Sequence, residues 1–148
     1  MIQINTYSPD NKPTEEIKKD IINFLFESLE QYGDPKEDIE KCLDYAFGKN
    51  NKPGGIVLSA IDSNTQKIVG AVIINKTGMN GYIPENILVY IATDKNMRGK
   101  GVGKQLMQTA INLSEGDMAL HCEPDNPAKF LYEKLGFTSK YLEMRLKK

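Results

Sequence analysis

Residues 98 to 104 read Arg98-Gly99-Lys100-Gly101-Val102-Gly103-Lys104: three alternate glycines flanked by three cations. No other stretch limits the fold as tightly. The apolar run Ile87 to Thr93 precedes it and a helical pattern from about Gly101 to Leu113 follows, so the turn joins a buried strand to a helix. Glycines let the backbone bend sharply and approach a ligand closely. A helix N-terminus adds orphan N–H donors and the positive end of a dipole. With Arg98, Lys100 and Lys104 these features read as a cradle for a pyrophosphate, against the blander reading of a turn with solvated lysines. Two familiar phosphate loops do not fit. The nucleotide loop Gly-x4-Gly-Lys-Ser/Thr needs Gly at 98 and Ser or Thr at 105, where the chain has Arg98 and Gln105. The dinucleotide fingerprint needs G-x-G-x-x-G, whereas Gly99, Gly101 and Gly103 are spaced G-x-G-x-G.

The chain has 148 residues, which predicts one domain over 1–148 with a core that needs neither metal nor disulfide. Nineteen Lys and Arg against 20 Asp and Glu give a net charge of -1, which argues against a partner that is nucleic acid or an anionic membrane. No run approaches the roughly 18 apolar residues of a membrane span. The N-terminus turns polar by Asn5, so no signal peptide is expected and the cytoplasm is the expected location. Cys42, Cys122 and the single His121 are too few and too scattered for ordinary zinc spacing, so no metal is expected.

Periodicity and turn residues set out the elements. Residues 1–7 read as a strand. Thr14 caps a helix to about Gln31, stopped by Gly33. Asp34 as N-cap and Pro35 at the first helical position start a second helix, which Gly48 ends. Ile56–Asp62 and Lys67–Lys76 form a hairpin around Ser63-Asn64-Thr65-Gln66, and Gly78, Gly81 and Pro84 mark a loop. The strand Ile87–Thr93, the helix after the Gly-rich turn, a strand Met118–Cys122, a helix opened by Asn126-Pro127 and a last strand Tyr141–Leu146 complete the chain. The order βααβββαβαβ predicts a mixed α/β fold, mostly antiparallel, with one parallel βα unit.

Arg98-x-x-Gly101-x-Gly103 resembles the R/Q-x-x-G-x-G/A signature of the GNAT superfamily of acyl-CoA-dependent N-acyltransferases. Asn126-Pro127-Ala128-Lys129-Phe130-Leu131-Tyr132-Glu133-Lys134-Leu135-Gly136-Phe137 resembles that family's second, helix-turn signature, and the element order matches too. The resemblance spans essentially the whole chain. It implies a central mixed sheet with helices on both faces, acetyl-CoA as cosubstrate, and an amine acceptor that is a small molecule or a peptide. It implies that the amides of Arg98, Gly99, Lys100, Gly101, Val102 and Gly103, with Lys104 beside them, hold the CoA pyrophosphate. Ile91-Ala92-Thr93 would lie along the pantetheine, which Ile91 and Thr93 pair with as an added strand. Asn126 and Tyr132 would approach the cofactor from the following helix. Members often dimerise, so a homodimer is also an expectation, though no patch in the sequence marks it.

Attack of an amine on a thioester needs a neutral amine and a protonated leaving thiolate. Tyr132 occupies the motif position whose phenol protonates that thiolate, with a half-buried structural tyrosine as the alternative. The family's usual Glu on the strand falls at Ile87, which cannot titrate. Glu85, two residues earlier, could act as base through a water, or be a solvated loop carboxylate. His121 could accept a proton, or be a hydrogen-bonded core histidine. Cys122 has no evident activating partner, and Glu123 and Asp125 read as loop carboxylates. Residues 14–40 hold nine acids and three bases, a balance of -6, which predicts a negative acceptor entrance and a cationic amine. Tyr32 and Tyr82 are candidate lining groups. The other reading is a CoA-binding sensor that has lost turnover.

Overall fold

The computed structural model describes residues 1–148. Its elements are β1 (Ile2–Tyr7), α1 (Glu15–Leu29), α2 (Lys36–Ala46), β2 (Gly55–Asp62), β3 (Ile68–Lys76), β4 (Asn86–Thr93), α3 (Val102–Leu113), β5 (Met118–Leu120) and α4 (Ala128–Lys134). The strands form one sheet in the order β1-β2-β3-β4-β5. The first four are antiparallel, and β5 lies parallel to β4. Helices cover both faces, as the expected fold class requires.

The two faces follow from strand alternation. Val57, Ala71, Ile73 and Tyr90 pack with Ile21, Leu25, Ile39 and Leu43 of α1 and α2. Leu58, Ala60, Val72, Ile74 and Leu88 pack with Val102, Leu106, Met107 and Ala110 of α3 and Tyr132 of α4. Gly70 sits where α3 crosses β3: a Cβ there would lie 2.7 Å from Leu106 Cδ1 and 3.1 Å from Val102 Cγ1. That close approach accounts for a glycine inside a strand. No helix is long and apolar enough to cross a membrane.

Four expectations are corrected. Thr14 does cap α1, its Oγ1 accepting from Ile17 N at 3.2 Å, but α1 ends at Leu29 and a 3-10 turn, Glu30–Tyr32, precedes Gly33. Asp34 does not cap α2. Pro35 holds the cap position without a side-chain bond, and the Asp34 carboxylate instead accepts from the Tyr90 hydroxyl. No strand forms at Tyr141–Leu146. The segment keeps strand-like alternation but pairs with nothing, so its apolar side chains stay in solvent. A short β5, Met118–Leu120 rather than Met118–Cys122, goes with it.

One irregularity positions everything that follows. Ile73 pairs with Tyr90 and Ile74 with Leu88, so Val89 is an unpaired bulge residue in β4. It sends Leu88 and Tyr90 to opposite faces and leaves Val89 37% exposed. β4 and β5 pair only at Asn86–Met118, Ile87–Ala119 and Leu88–Leu120. Beyond the bulge they part, and a gap opens between them.

Candidate cofactor cleft and active site

The gap leaves one edge of β4 free. Asp94 N donates to Val69 O of β3 at 2.9 Å. Backbone polar groups alternate sides along a strand, so Ala92 also faces β3, while the N–H and C=O of Thr93 and Ile91 face the gap. Ala92 therefore lines the cleft without offering it a hydrogen bond, and its side chain packs on the α1 side.

The Gly-rich turn closes the wide end of the gap. Gly99 and Gly101 both take φ 80°, a left-handed conformation that favours glycine, and a Cβ on either would meet nothing within 4 Å. Gly101 is the N-cap of α3. Gln105 N returns to Gly101 O at 3.0 Å as the first backbone bond of the helix, and Lys100 N is held by Met97 O at 3.3 Å. The amides of Gly99, Gly101, Val102, Gly103 and Lys104 donate to no group within the chain. These five free donors lie at and just before a helix N-terminus, bordered by exposed Arg98 and Lys100, an arrangement suited to an anion. Arg98 and Lys100 thus offer side-chain charge, because their amides are engaged in the turn. Gly103 serves differently. Its hydrogen faces Leu131 Cδ2 and Thr93 Cγ2, which a Cβ would meet at 3.4 and 3.6 Å, so it lets the start of α3 settle between β4 and α4. The donor set and the open backbone edge suit a pyrophosphate followed by an extended amide-bearing arm.

Tyr132 is 6% exposed and packs edge-on against Phe137, ring centroids 6.0 Å apart. Burial first, then the nearby Cys122 and Glu123, pushes its hydroxyl up to about 12, so it is protonated near neutral pH but gives that proton up less readily than an exposed tyrosine. Asn126 lies just before Pro127, the N-cap of α4, and its Oδ1 accepts from Ala128 N at 3.0 Å. Cys122 is half-buried with its thiol pushed up, mainly by burial, and so is a weak nucleophile. His121 is exposed just past β5, not a core histidine.

Glu85 lies at the opposite end of β4 from the turn. Its two carboxylate oxygens accept from Asp117 N at 2.7 Å and Gly81 N at 3.2 Å. These bonds lower its pKa and make it a poorer base. They also tie the 77–85 loop to the entry of β5. Glu85 borders a groove of about 590 Å³ shared with Lys76, Met79, Asn80, Leu113 and Glu115. Tyr82, beside it in the loop, is 79% exposed.

Two contacts were not legible in the sequence. Tyr90 anchors Asp34 on the α1–α2 connection, and Tyr32 Oη donates to Asp125 O at 3.4 Å, linking that connection to the segment after β5. Each joins residues far apart in the chain, and neither carries a local pattern. On the α1 side of the Gly-rich turn, Glu27, Ser28, Glu30, Asp94, Lys95, Asn96 and Arg98 line a wholly polar cleft of about 270 Å³.

Comparison with known proteins places this arrangement. The family model described as acetyltransferase (GNAT) domain matches residues 53–139, which include the bulged strand, the turn, α3 and α4. No curated protein sequence matches the chain. Among solved structures, an aminoglycoside acetyltransferase from an uncultured soil metagenomic sample aligns with TM-score 0.68 at 17% identity, over 99% of this chain and 98% of that one. A ribosomal-protein-alanine N-acetyltransferase from Brucella melitensis biovar Abortus 2308 aligns with TM-score 0.66 at 17% identity, over 99% of each chain. A transcriptional regulator from Bacillus halodurans C-125 aligns with TM-score 0.71 at 18% identity, again over 99% of each. At such identities these neighbours speak to the fold alone. The family match covers more than half the sequence and contains both the glycine cradle and the helix bearing Tyr132, and on that ground the chain belongs to the GNAT acetyltransferase family.

Proposed function

We propose that the protein is an N-acetyltransferase that moves an acetyl group from acetyl-CoA to a primary, cationic amine by direct attack on the thioester. The observation that carries this reading is the alignment of five unpartnered amides, at Gly99 and Gly101–Lys104, with the unpaired edge of Ile91 and Thr93. The cradle and Arg98, Lys100 and Lys104 would hold the phosphates, and the β4 edge would orient the arm as an added strand. Acetyl-CoA supplies the activated acyl group. Tyr132, on the helix that follows the cleft, would deliver its proton to the departing sulfur. The amine would lose its proton to solvent water. Glu85, with both oxygens accepting from amides, supports the loop and adds negative charge more than it serves as a strong base.

The acceptor class rests on charge. The acids of residues 14–40 lie on and around α1 and α2, while Lys95, Arg98, Lys100 and Lys104 gather at the turn. A negative entrance attracts cations and slows anions. Ile87 in place of a strand carboxylate favours the second reading, a CoA sensor without turnover.

One experiment separates these. Free thiol release from acetyl-CoA is followed with spermidine, a Lys peptide, a neutral amine and glutamate, at low and high salt. The enzyme reading expects turnover with the cations ahead, and their lead shrinking as salt screens charges beyond about 10 Å. Tight CoA binding with no thiol release for any amine establishes the sensor. A lead for glutamate or the neutral amine, or a cation lead indifferent to salt, removes the electrostatic assignment.

A further inference from the structure

The α1–α2 connection, residues 30–35, is fastened on both sides of the gap between β4 and β5. Asp34 accepts from the hydroxyl of Tyr90 on β4, and Tyr32 Oη donates to Asp125 O beyond β5. The connection therefore crosses the gap on its α1 side, next to the bulge at Val89 where the strands part. Tyr90 is 8% exposed and packs in the core that α1 and α2 share, so the phenol that reaches Asp34 has a fixed base. Ile87 lies on the same face of β4, since Tyr90 and Ile87 pair with Ile73 and Asn75, two residues apart on β3. Ile87 carries no charge, which leaves Asp34 as the carboxylate that β4 holds on this face.

Asp34 differs from the acids of α2 in having no cation. Asp38 pairs with Lys41 at 3.8 Å, Glu40 with Lys18 at 3.7 Å, and Asp44 with Lys18 at 2.7 Å and Lys49 at 3.4 Å. Lys36, two residues after Asp34, lies instead over the Phe26 ring, 5.1 Å from its centroid. No lysine or arginine pairs with Asp34. Its Oδ2 accepts from Tyr90, and its Oδ1 accepts from nothing in the chain. Burial first, then Asp34, with Cys42 and Asp38 adding, holds the Tyr90 hydroxyl above its ordinary value, so it stays a donor to Asp34. An exposed carboxylate gripped through one oxygen, with the other open and no cation of its own, suits a cation from outside.

The attacking nitrogen of an acceptor is neutral when it meets the thioester, so any charge that stays on the substrate sits on another group. We propose that Asp34, oriented by Tyr90, is the specificity-determining residue for the acceptor: its open oxygen receives a second ammonium group, and the preferred substrate is a diamine acetylated on one nitrogen while the other stays charged. The assignment rests on the acetyltransferase reading above and narrows it. A diffuse negative entrance favours any cation, whereas one fixed carboxylate reads a second charge at a set reach from the first nitrogen. Asp34 touches the substrate, and Tyr90 is a positioning residue that acts through it.

The test compares putrescine, cadaverine and spermidine with butylamine and pentylamine, in the parent, Asp34→Asn and Tyr90→Phe. Asparagine keeps an oxygen for Tyr90 and loses the charge. Thermal melting by circular dichroism reports the fold, and calorimetric titration with acetyl-CoA reports the cofactor cleft. The proposal expects the parent to prefer the diamines, and Asp34→Asn to raise their KM roughly 10- to 100-fold with kcat and the monoamine constants unchanged. Tyr90→Phe should raise the same KM by a smaller factor at unchanged kcat, and it stands in if Asp34→Asn does not fold. A parent without preference for diamines, a preference that survives Asp34→Asn, or an equal loss for monoamines and diamines overturns the proposal. If no amine turns over, the acetyltransferase reading fails separately, and calorimetric binding of putrescine to the CoA-loaded protein decides. A loss of about tenfold in Asp34→Asn then upholds the site, and unchanged or undetectable binding overturns it.

Discussion

Gly101 and Gly103 sit two residues apart in one motif and meet different physical demands. At φ 80° a Cβ on residue 101 costs about 1–2 kcal/mol of backbone strain, although the space around it is open. Gly101→Val is therefore expected to fold, and to lose at least tenfold in CoA affinity, about 1.4 kcal/mol, by titration calorimetry. Unchanged affinity would remove the cradle assignment. Gly103→Ala should bind CoA much as the parent does, because its Cβ would make ordinary contacts with Leu131 and Thr93. Tyr132→Phe removes only the phenol oxygen. The acid role expects kcat to fall roughly 10- to 1,000-fold with acetyl-CoA affinity little changed. Parent-like turnover, measured where chemistry limits the rate, would leave Tyr132 as a packing residue beside Phe137.

At the scale of elements, α3 decides where the turn points, and Gly70 decides where α3 lies. Gly70→Val would overfill the contact with Leu106 and Val102 and cost about 1–3 kcal/mol. The urea midpoint should drop, and KM for acetyl-CoA should rise because α3 carries the cradle. A lower midpoint with KM unchanged would separate the packing of α3 from the placing of the turn. Periodicity made most of these elements readable: α1 through Ile17, Ile21, Phe24 and Leu25, and the β2–β3 hairpin through its polar turn. The glycines made the turn before α3 readable because a positive φ limits residue choice locally. The bulge did not show, since Ile87–Thr93 is almost uniformly apolar and so gives no sign of register. Asp34 looked like a helix cap because the residues around it fit one, and a tyrosine from β4 claims it instead. The tail looked like a strand of this sheet because alternation reports a preferred conformation, not the presence of a partner.

Across the whole molecule, the buried ionisable groups shift in one direction. Burial raises Cys42 from an ordinary 9.0 to about 12 and Tyr132 from 10.0 to about 12. Burial and the Asp34 carboxylate raise Tyr90 as well. Each holds its proton to higher pH folded than unfolded, so their stabilisation is whole below the unfolded values and is lost as pH climbs through the folded ones. Tm should hold steady up to about pH 9 and fall with growing slope toward about pH 12, followed by circular dichroism. A Tm unchanged at about pH 11 would mean that these groups are more open to solvent than their burial indicates. The parting of β4 and β5 has a consequence of another kind. The open stretch from Val89 to Thr93 is about 13 Å long at about 3.3 Å per residue. If phosphates are held at one end of that stretch, with the strands closing at Leu88 and Leu120 at the other, the cleft would act as a gauge. An acyl carrier with too short an arm would leave its thioester stranded partway along β4. The chain would thus select its donor by reach before reading the group that the donor carries.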